Sequence, residues 1–386
     1  MSLNNLFIFN SKSKQISPVT NALRTVFWFI FFLILLDTIL NLLFPYPSDP
    51  LDVSPSQLSR YFDYGRSVEA KVRRQIGPTD QTSSPLSRAG WLNSDERKTL
   101  PTQPDSGSTL LLATYGMSFS SQVSEAVKEI DPHVSLRLIA GPTAPPNFSF
   151  TAYNLDRKKH NADVVILGVL ASSLSGMDAI TGMNWNPDVP PSYTFPKYYI
   201  KDGNLKSISP EINSLEELRK ALKDKQKWQK FVAQMSTYDR FFNSFIFTHN
   251  VLDHSSMIRL IRRGWQQKHI ESITNKIHTA KGFNPKWDQI PVLKAIIKEF
   301  TNTAKADGRV PIVLLLNDQK YDDHLFKILQ TTLEENNIIY VSSHKIAPAT
   351  NLKNFVGDGH FTKEANLKIA QEVLNVINKN LAKPIL

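Results

Sequence analysis

Hydrophobic positions fall into three regimes along the chain. The first is a long run from Val26 to Phe44, VFWFIFFLILLDTILNLLF, nineteen residues interrupted by Asp37, Thr38 and Asn41. At 1.5 Å per residue such a helix just crosses a hydrocarbon core of about 30 Å, so it predicts a transmembrane anchor over residues 25–45. The second regime begins at Ser108. Short apolar runs at Leu110–Thr114, Ser135–Ala140, Asp163–Val169, Pro311–Leu316 and Ile338–Ser342 read as buried strands, most followed by Gly, Ser, Asn or Asp. Amphipathic helical patterns occupy Ser118–Ile130, Pro291–Ala306, Asp322–Glu335 and Lys363–Asn380. Apolar strands alternating with such helices predict an α/β domain over 107–386, a three-layer α/β/α arrangement around a parallel sheet.

The third regime has no sustained period. Residues 46–106 are rich in Pro, Ser, Asp and Arg and read as a stalk or irregular collar. Residues 175–290 interrupt the α/β rhythm with a Pro-rich start, then helical patterns over Leu215–Met235 and Phe241–Ile277, predicting a helical insertion.

Charge orients the anchor. Lys12, Lys14 and Arg24 precede it with no acid among them, and Asp49 and Asp52 follow. The positive-inside bias puts residues 1–24 in the cytoplasm and the domain in the periplasmic or extracellular space. A cleaved signal peptide is the rival reading, but its apolar core would end in small residues, where Phe44-Pro45-Tyr46-Pro47 stands here. Asp37 and Asn41 share one helix face; they read either as residues near the interface or as a stripe that docks a second membrane protein.

Composition narrows the chemistry. The 386 residues contain 45 Lys+Arg against 35 Asp+Glu, a net charge of +10, and no cysteine. Disulfides, thiolate nucleophiles and Cys-ligated metals are therefore excluded. Between Lys197 and Lys281 basic residues outnumber acidic ones two to one, with Trp228, Phe241, Phe242, Phe245, Phe247 and Trp265 interspersed. That insertion reads as a solvated basic face over an aromatic core, or as a surface for an anionic polymer or membrane. No phosphate-binding glycine loop occurs, so no cofactor is expected. A nucleic-acid partner would rest on charge alone and conflicts with an outward-facing domain.

Two distant segments carry candidate chemistry. Leu110-Leu111-Leu112-Ala113-Thr114-Tyr115-Gly116-Met117-Ser118 reads as strand, glycine turn and a serine opening a helix. Gly357-Asp358-Gly359-His360 precedes the closing helix, for which Thr362 is a candidate N-cap. In open parallel sheets active residues gather beyond the carboxyl ends of strands. Ser118 would be the nucleophile, His360 its base and Asp358 the group that orients the imidazole. Each segment alone also reads as an ordinary cap or turn; their joint occurrence carries the argument. Asp322-Asp323-His324 is explained by acids at a helix start. His249, Asp253 and His254 lack a zinc-binding motif, so no metal is expected. Asn147-Phe148-Ser149 is an N-glycosylation sequon.

The pattern resembles the SGNH/GDSL hydrolases, esterases and carbohydrate O-acetyl esterases or transferases, over residues 108–174 and 309–380. The resemblance implies that Ser118, His360 and Asp358 form the triad, and that Ser118 and Gly141 supply backbone N–H groups to an oxyanion hole. Met117 stands where that family usually has Asp, though Gly-x-Ser-Phe/Tyr-Ser variants occur among polysaccharide-acetylation members. Gly168-Val169-Leu170-Ala171-Ser172-Ser173 lacks the family's third-block asparagine. Ser172, Ser173 and Asn147 are candidate substitutes; Asn317-Asp318 follows the fourth strand instead and reads as structural. The implied substrate is an acylated carbohydrate or other ester. A non-catalytic relative that binds glycan or scaffolds an export or acylation complex is the alternative.

Overall fold

The structure is a computed structural model that describes residues 18–45 and 57–381. In chain order its longer helices are α1 (Pro18–Leu43), α2 (Gln57–Tyr64), α3 (Val68–Gln75), α4 (Ser118–Ile130), α5 (Pro146–Asp156), α6 (Leu215–Lys223), α7 (Lys225–Tyr238), α8 (Ser256–Ile277), α9 (Gln289–Ala306), α10 (His324–Glu335) and α11 (Lys363–Leu381). The main sheet comprises β1 (Leu110–Gly116), β2 (Val134–Ala140), β3 (Val164–Leu170), β4 (Val310–Leu316) and β5 (Tyr340–Ser342).

The sheet is fully parallel in the order β2-β1-β3-β4-β5. Its central strands are buried along their whole length, which is why they carry unbroken Val, Ile and Leu. Helices α4 and α11 pack together on one face, while α5, α9 and α10 cover the other. The expected α/β/α layering is what the structure shows. Because β2 and β3 flank β1 on opposite sides, the chain reverses direction beside β1, where such sheets open a crevice at their carboxyl ends.

Helix α5 was not legible in the sequence. It starts on Pro146 and is buried on nearly every side, so its residues show no amphipathic period. Inside this layer Arg137 forks onto both carboxylate oxygens of Asp156 at 2.7 Å each, and the Tyr115 hydroxyl donates to the same carboxylate at 3.0 Å.

Two expectations need correction. Residues 57–106 are not a stalk: Val68, Val72 and Trp91 are buried, and Ser67 caps α3 through the Ala70 N–H. The buried Lys71 ammonium donates to the carbonyls of Tyr64 and Pro187, and burial lowers its pKa to about 8. Serines here act as helix caps, which makes a folded collar look like a linker in composition. Residues 46–56 lie outside the described residues. The insertion is also not purely helical. Lys197–Lys201 and Asn204–Ile208 form an antiparallel hairpin turned by Asp202 and Gly203, both at positive φ (52° and 73°).

Helix α1 is long and apolar enough to cross a membrane. It begins at Pro18, earlier than its hydrophobic run, and residues 1–17 of the expected cytoplasmic tail lie outside the described residues. The stripe of Asp37 and Asn41 meets its own chain. Asp37 Oδ1 accepts the Met257 N–H at 2.9 Å, and Asn41 Oδ1 accepts from Ser256 Oγ at 3.1 Å and Arg259 Nη2 at 2.9 Å. Asp37 Oδ1 and Asn41 Oδ1 are thus used by the N-terminus of α8.

Candidate active site

Ser118 is the first residue of α4, directly after β1, at the carboxyl rim where the chain reverses. Met117 caps the helix without a side-chain bond, and the first intrahelical bond runs from the Ser121 N–H to Met117 O. The N–H groups of Ser118, Phe119 and Ser120 have no partner among the described residues. They and the helix dipole form a positive edge beside the serine hydroxyl.

His360 sits on a small hairpin. Phe355 and Phe361 pair antiparallel, Val356 N–H donates to His360 O at 2.8 Å, and Gly359 turns the chain at φ 92°. Thr362 Oγ1 then accepts the Ala365 N–H at 3.3 Å, acting as the expected cap of α11. Packing of α11 on α4 fixes this hairpin beside Ser118: Ala365, Ile369 and Val373 are buried on α11, as are Val123, Ala126 and Val127 on α4. Across 242 positions of sequence, Ser118 Oγ and His360 Nε2 come to 2.7 Å. The Phe119 ring stacks on the imidazole.

Asp358 is less tightly placed. Its Oδ1 lies 3.1 Å from His360 Nδ1 but off the ring N–H direction, leaving that buried nitrogen without an aligned acceptor. The same oxygen accepts the His360 backbone N–H at 3.0 Å. The His360 backbone hydrogen bond foremost, with the His360 ring close by, holds the Asp358 carboxyl below the usual carboxylate range. Its side chain is 67% exposed.

Gly141 follows β2 and is brought beside the nucleophile's strand, but its N–H donates to Gly116 O at 3.3 Å. In this conformation it extends the β1–β2 ladder instead of pointing free into a hole. A side chain at Gly141 would press on the Phe148 ring at 3.1 Å. Of the substitutes for the absent third-block asparagine, two are engaged elsewhere. Asn147 is fully buried with Nδ2 donating to Met177 O at 3.2 Å, which also closes the sequon to glycosylation. Ser173 Oγ donates to Leu170 O at 2.9 Å. Ser172 is half-buried at the rim and its bonds run to the Asp318 carboxylate.

The other sequence candidates separate from this site. Asn317 is structural, donating to Ala347 O at 3.0 Å and bonded to Ser343. Asp318 is different: burial pushes its carboxyl up to about 6 against opposing bonds from Ser172, and its Oδ1 lacks a partner. Asp323 pairs with Lys327 at 2.9 Å, and His324 Nδ1 meets His278 Nε2 at 2.8 Å. Asp253 accepts from Ser67, His249 and Arg262, tying the collar to the insertion. His254, beside it, is exposed at the end of a short 3-10 turn.

Sequence reasoning missed Phe119 and the small-residue floor under Ser120. A Cβ on Gly116 or Gly168 would collide with the buried Ser120 side chain. The signal was present in Gly116-Met117-Ser118-Phe119-Ser120, since the second serine falls on the inward face of the helix.

A serine at the first crossover and a histidine before the last helix, on a 2-1-3-4-5 parallel sheet, match the resemblance drawn from sequence. In architecture the chain is similar to the SGNH/GDSL hydrolases. No family model matches the sequence, and no curated protein matches it. Among solved structures it is similar to a protein assigned to the G-D-S-L lipolytic family from Desulfitobacterium hafniense DCB-2. That likeness has 9% identity and a TM-score of 0.31, covering 69% of this chain and 99% of the other. It is also similar to a protein assigned as an acylhydrolase from Bacteroides fragilis NCTC 9343, at 11% identity and a TM-score of 0.34, covering 75% and 98%.

Proposed function

We propose that this protein is a membrane-anchored serine esterase or O-acyltransferase that acts outside the cytoplasm on O-acetyl groups of a cell-surface polysaccharide. The observation that carries the reading is the 2.7 Å contact between Ser118 Oγ and His360 Nε2. A serine hydroxyl is a weak nucleophile until a base takes its proton, and this contact supplies one.

In the proposed reaction His360 Nε2 accepts the Ser118 proton as Oγ attacks the ester carbonyl. Negative charge on the carbonyl oxygen is received by the unpartnered N–H groups of the first turn of α4, with Gly141 N–H joining if it turns from Gly116. The tetrahedral adduct collapses, the alcohol leaves with the proton from His360, and Ser118 holds the acyl group. Water or a sugar hydroxyl then attacks with His360 again as base, releasing acid or acylated acceptor and restoring Ser118. Asp358 stabilises the imidazolium. The basic insertion favours an anionic polymer, and the anchor favours a substrate held at the cell surface.

Full-length protein in detergent, treated with a fluorophosphonate probe, should be labelled at Ser118. Hydrolysis of p-nitrophenyl acetate should fall by about 10³ or more in Ser118→Ala and His360→Ala. Equal residual activity in all three proteins would leave the glycan-binding or scaffold alternative. The engaged Gly141 N–H and the exposed Asp358 are the observations that favour that alternative.

A further inference from the structure

The contact between α1 and α8 fixes where the domain sits on the membrane. Leu33, Asp37, Leu40, Asn41 and Phe44 are less exposed than their neighbours on α1 and lie on one face by their spacing. That face receives the N-terminus of α8 through Asp37 and Asn41, and Phe44 stacks on Phe62 with centroids 5.1 Å apart. From Leu33 to Phe44 the domain therefore follows roughly 17 Å of the helix.

That length is incompatible with a domain held wholly clear of the bilayer. Between Arg24 and Asp37 the uncharged run Thr25–Leu36 covers only about 18 Å, well short of a ~30 Å hydrocarbon core. The remaining thickness must be spanned by the stretch of α1 that the domain already touches. Part of the domain surface beside Asp37 then lies at lipid depth.

The surface at that place has the matching chemistry. On the outward side of α8, Met257, Leu260, Ile261, Gly264 and Trp265 form an apolar stripe over the first turns, with Ile261 58% and Trp265 53% exposed. Just before it, Val251 is 80% and Leu252 40% exposed. Beyond Trp265 the same side turns polar with Lys268, Glu271 and Ser272. Nearby, Arg263 lies over the Tyr61 ring at 4.2 Å, and Tyr61 is itself exposed. An apolar patch ending in Trp, with Tyr and Arg close by, is the side-chain order of a membrane–water interface.

We infer that the N-terminal half of α8, with Val251 and Leu252, is embedded in the outer leaflet of the bilayer that α1 crosses, with Trp265 at headgroup level. The occupant of this face is lipid. The inference rests on α1 as a membrane span and is independent of the Ser118 chemistry.

The chain has no cysteine, so single labels can be placed without background. Full-length Ile261→Cys, Trp265→Cys, Glu271→Cys and Phe29→Cys proteins, spin-labelled and reconstituted in anionic phospholipid vesicles, would be compared for collision with oxygen and with a water-soluble nickel chelate. The oxygen-to-nickel ratio should be several-fold higher at 261 and 265 than at 271, and highest at 29. Lipid-like values at 29 with water-like values at 261 and 265 would overturn the inference while leaving the anchor intact. Water-like values at 29 would overturn both, and fluorophosphonate labelling of Ser118 would report separately on the hydrolase. Spin–spin broadening at 261 without oxygen enhancement would assign the face to a second copy of the chain, which also overturns it.

Discussion

The Phe119 ring lies on the His360 imidazole with centroids 4.6 Å apart and planes 23° from parallel. The residue after the candidate nucleophile therefore positions the candidate base. Phe119 also meets Phe361 edge-on at 5.3 Å, so one ring contacts both His360 and the residue that follows it. An aromatic pair of this kind contributes about 0.5–1.5 kcal/mol. Phe119→Ala should lower kcat for p-nitrophenyl acetate by roughly 2–13-fold at that energy, with KM little changed. Phe119→Tyr should recover most of the loss. A change confined to KM would mean that the ring contacts substrate and leaves His360 unaffected.

The loose fit of Asp358 sets an order among the candidate triad residues. His360→Gln removes the base and should cost about 10³-fold or more in kcat. Asp358→Asn should cost less, on the order of 10–100-fold, because this carboxylate is exposed and misaligned with the ring N–H. Steady-state rates of both variants at one pH test the ranking. Equal losses would show that Asp358 aligns fully once substrate is bound.

Gly168 and Gly116 are small because Ser120 occupies the space above them. Gly168→Ala should destabilise the protein by roughly 1–3 kcal/mol through overpacking. Adding Ser120→Gly should recover part of that loss, as measured by chemical denaturation of the two variants. No recovery would locate the strain in β3 itself.

Asp253 is buried among Ser67, His249 and Arg262, and those partners bring its pKa down to about 2 despite burial. A depressed folded-state value means that its stabilisation is complete above the ordinary carboxylate pKa, about 4. That stabilisation drains away as pH falls from about 4 towards 2. Asp253→Ala leaves the fully buried Arg262 unpaired and should cost about 3–5 kcal/mol at neutral pH. Thermal unfolding from pH 7 to pH 2 should show the gap between variant and parent narrowing below about pH 4.

The framework of the domain was legible because its strands are buried on both faces and its surface helices are not. Leu110–Gly116 and Val310–Leu316 appear as plain apolar runs, and Ser118–Ile130 has the bounds its periodicity predicts. The Ser118–His360 pairing was legible from order along the sheet. What escaped were features that depend on contacts between segments. Lys71 looks like a surface residue until the carbonyls of Tyr64 and Pro187 enclose it. Asp37 and Asn41 read as a bare polar stripe until α8 is seen to bond to them. The hairpin at Asp202-Gly203 was visible as a turn dipeptide but lay in a stretch read for its helices.

The separation of Ser118 from His360 also has a bearing on biogenesis. Translation supplies the serine well before the histidine, which sits on the last hairpin ahead of the final helix. The proposed activity therefore stays silent throughout translation and most of export. A product clipped before residue 360 would lack the proposed activity, keeping the Ser118 hydroxyl without the proposed base.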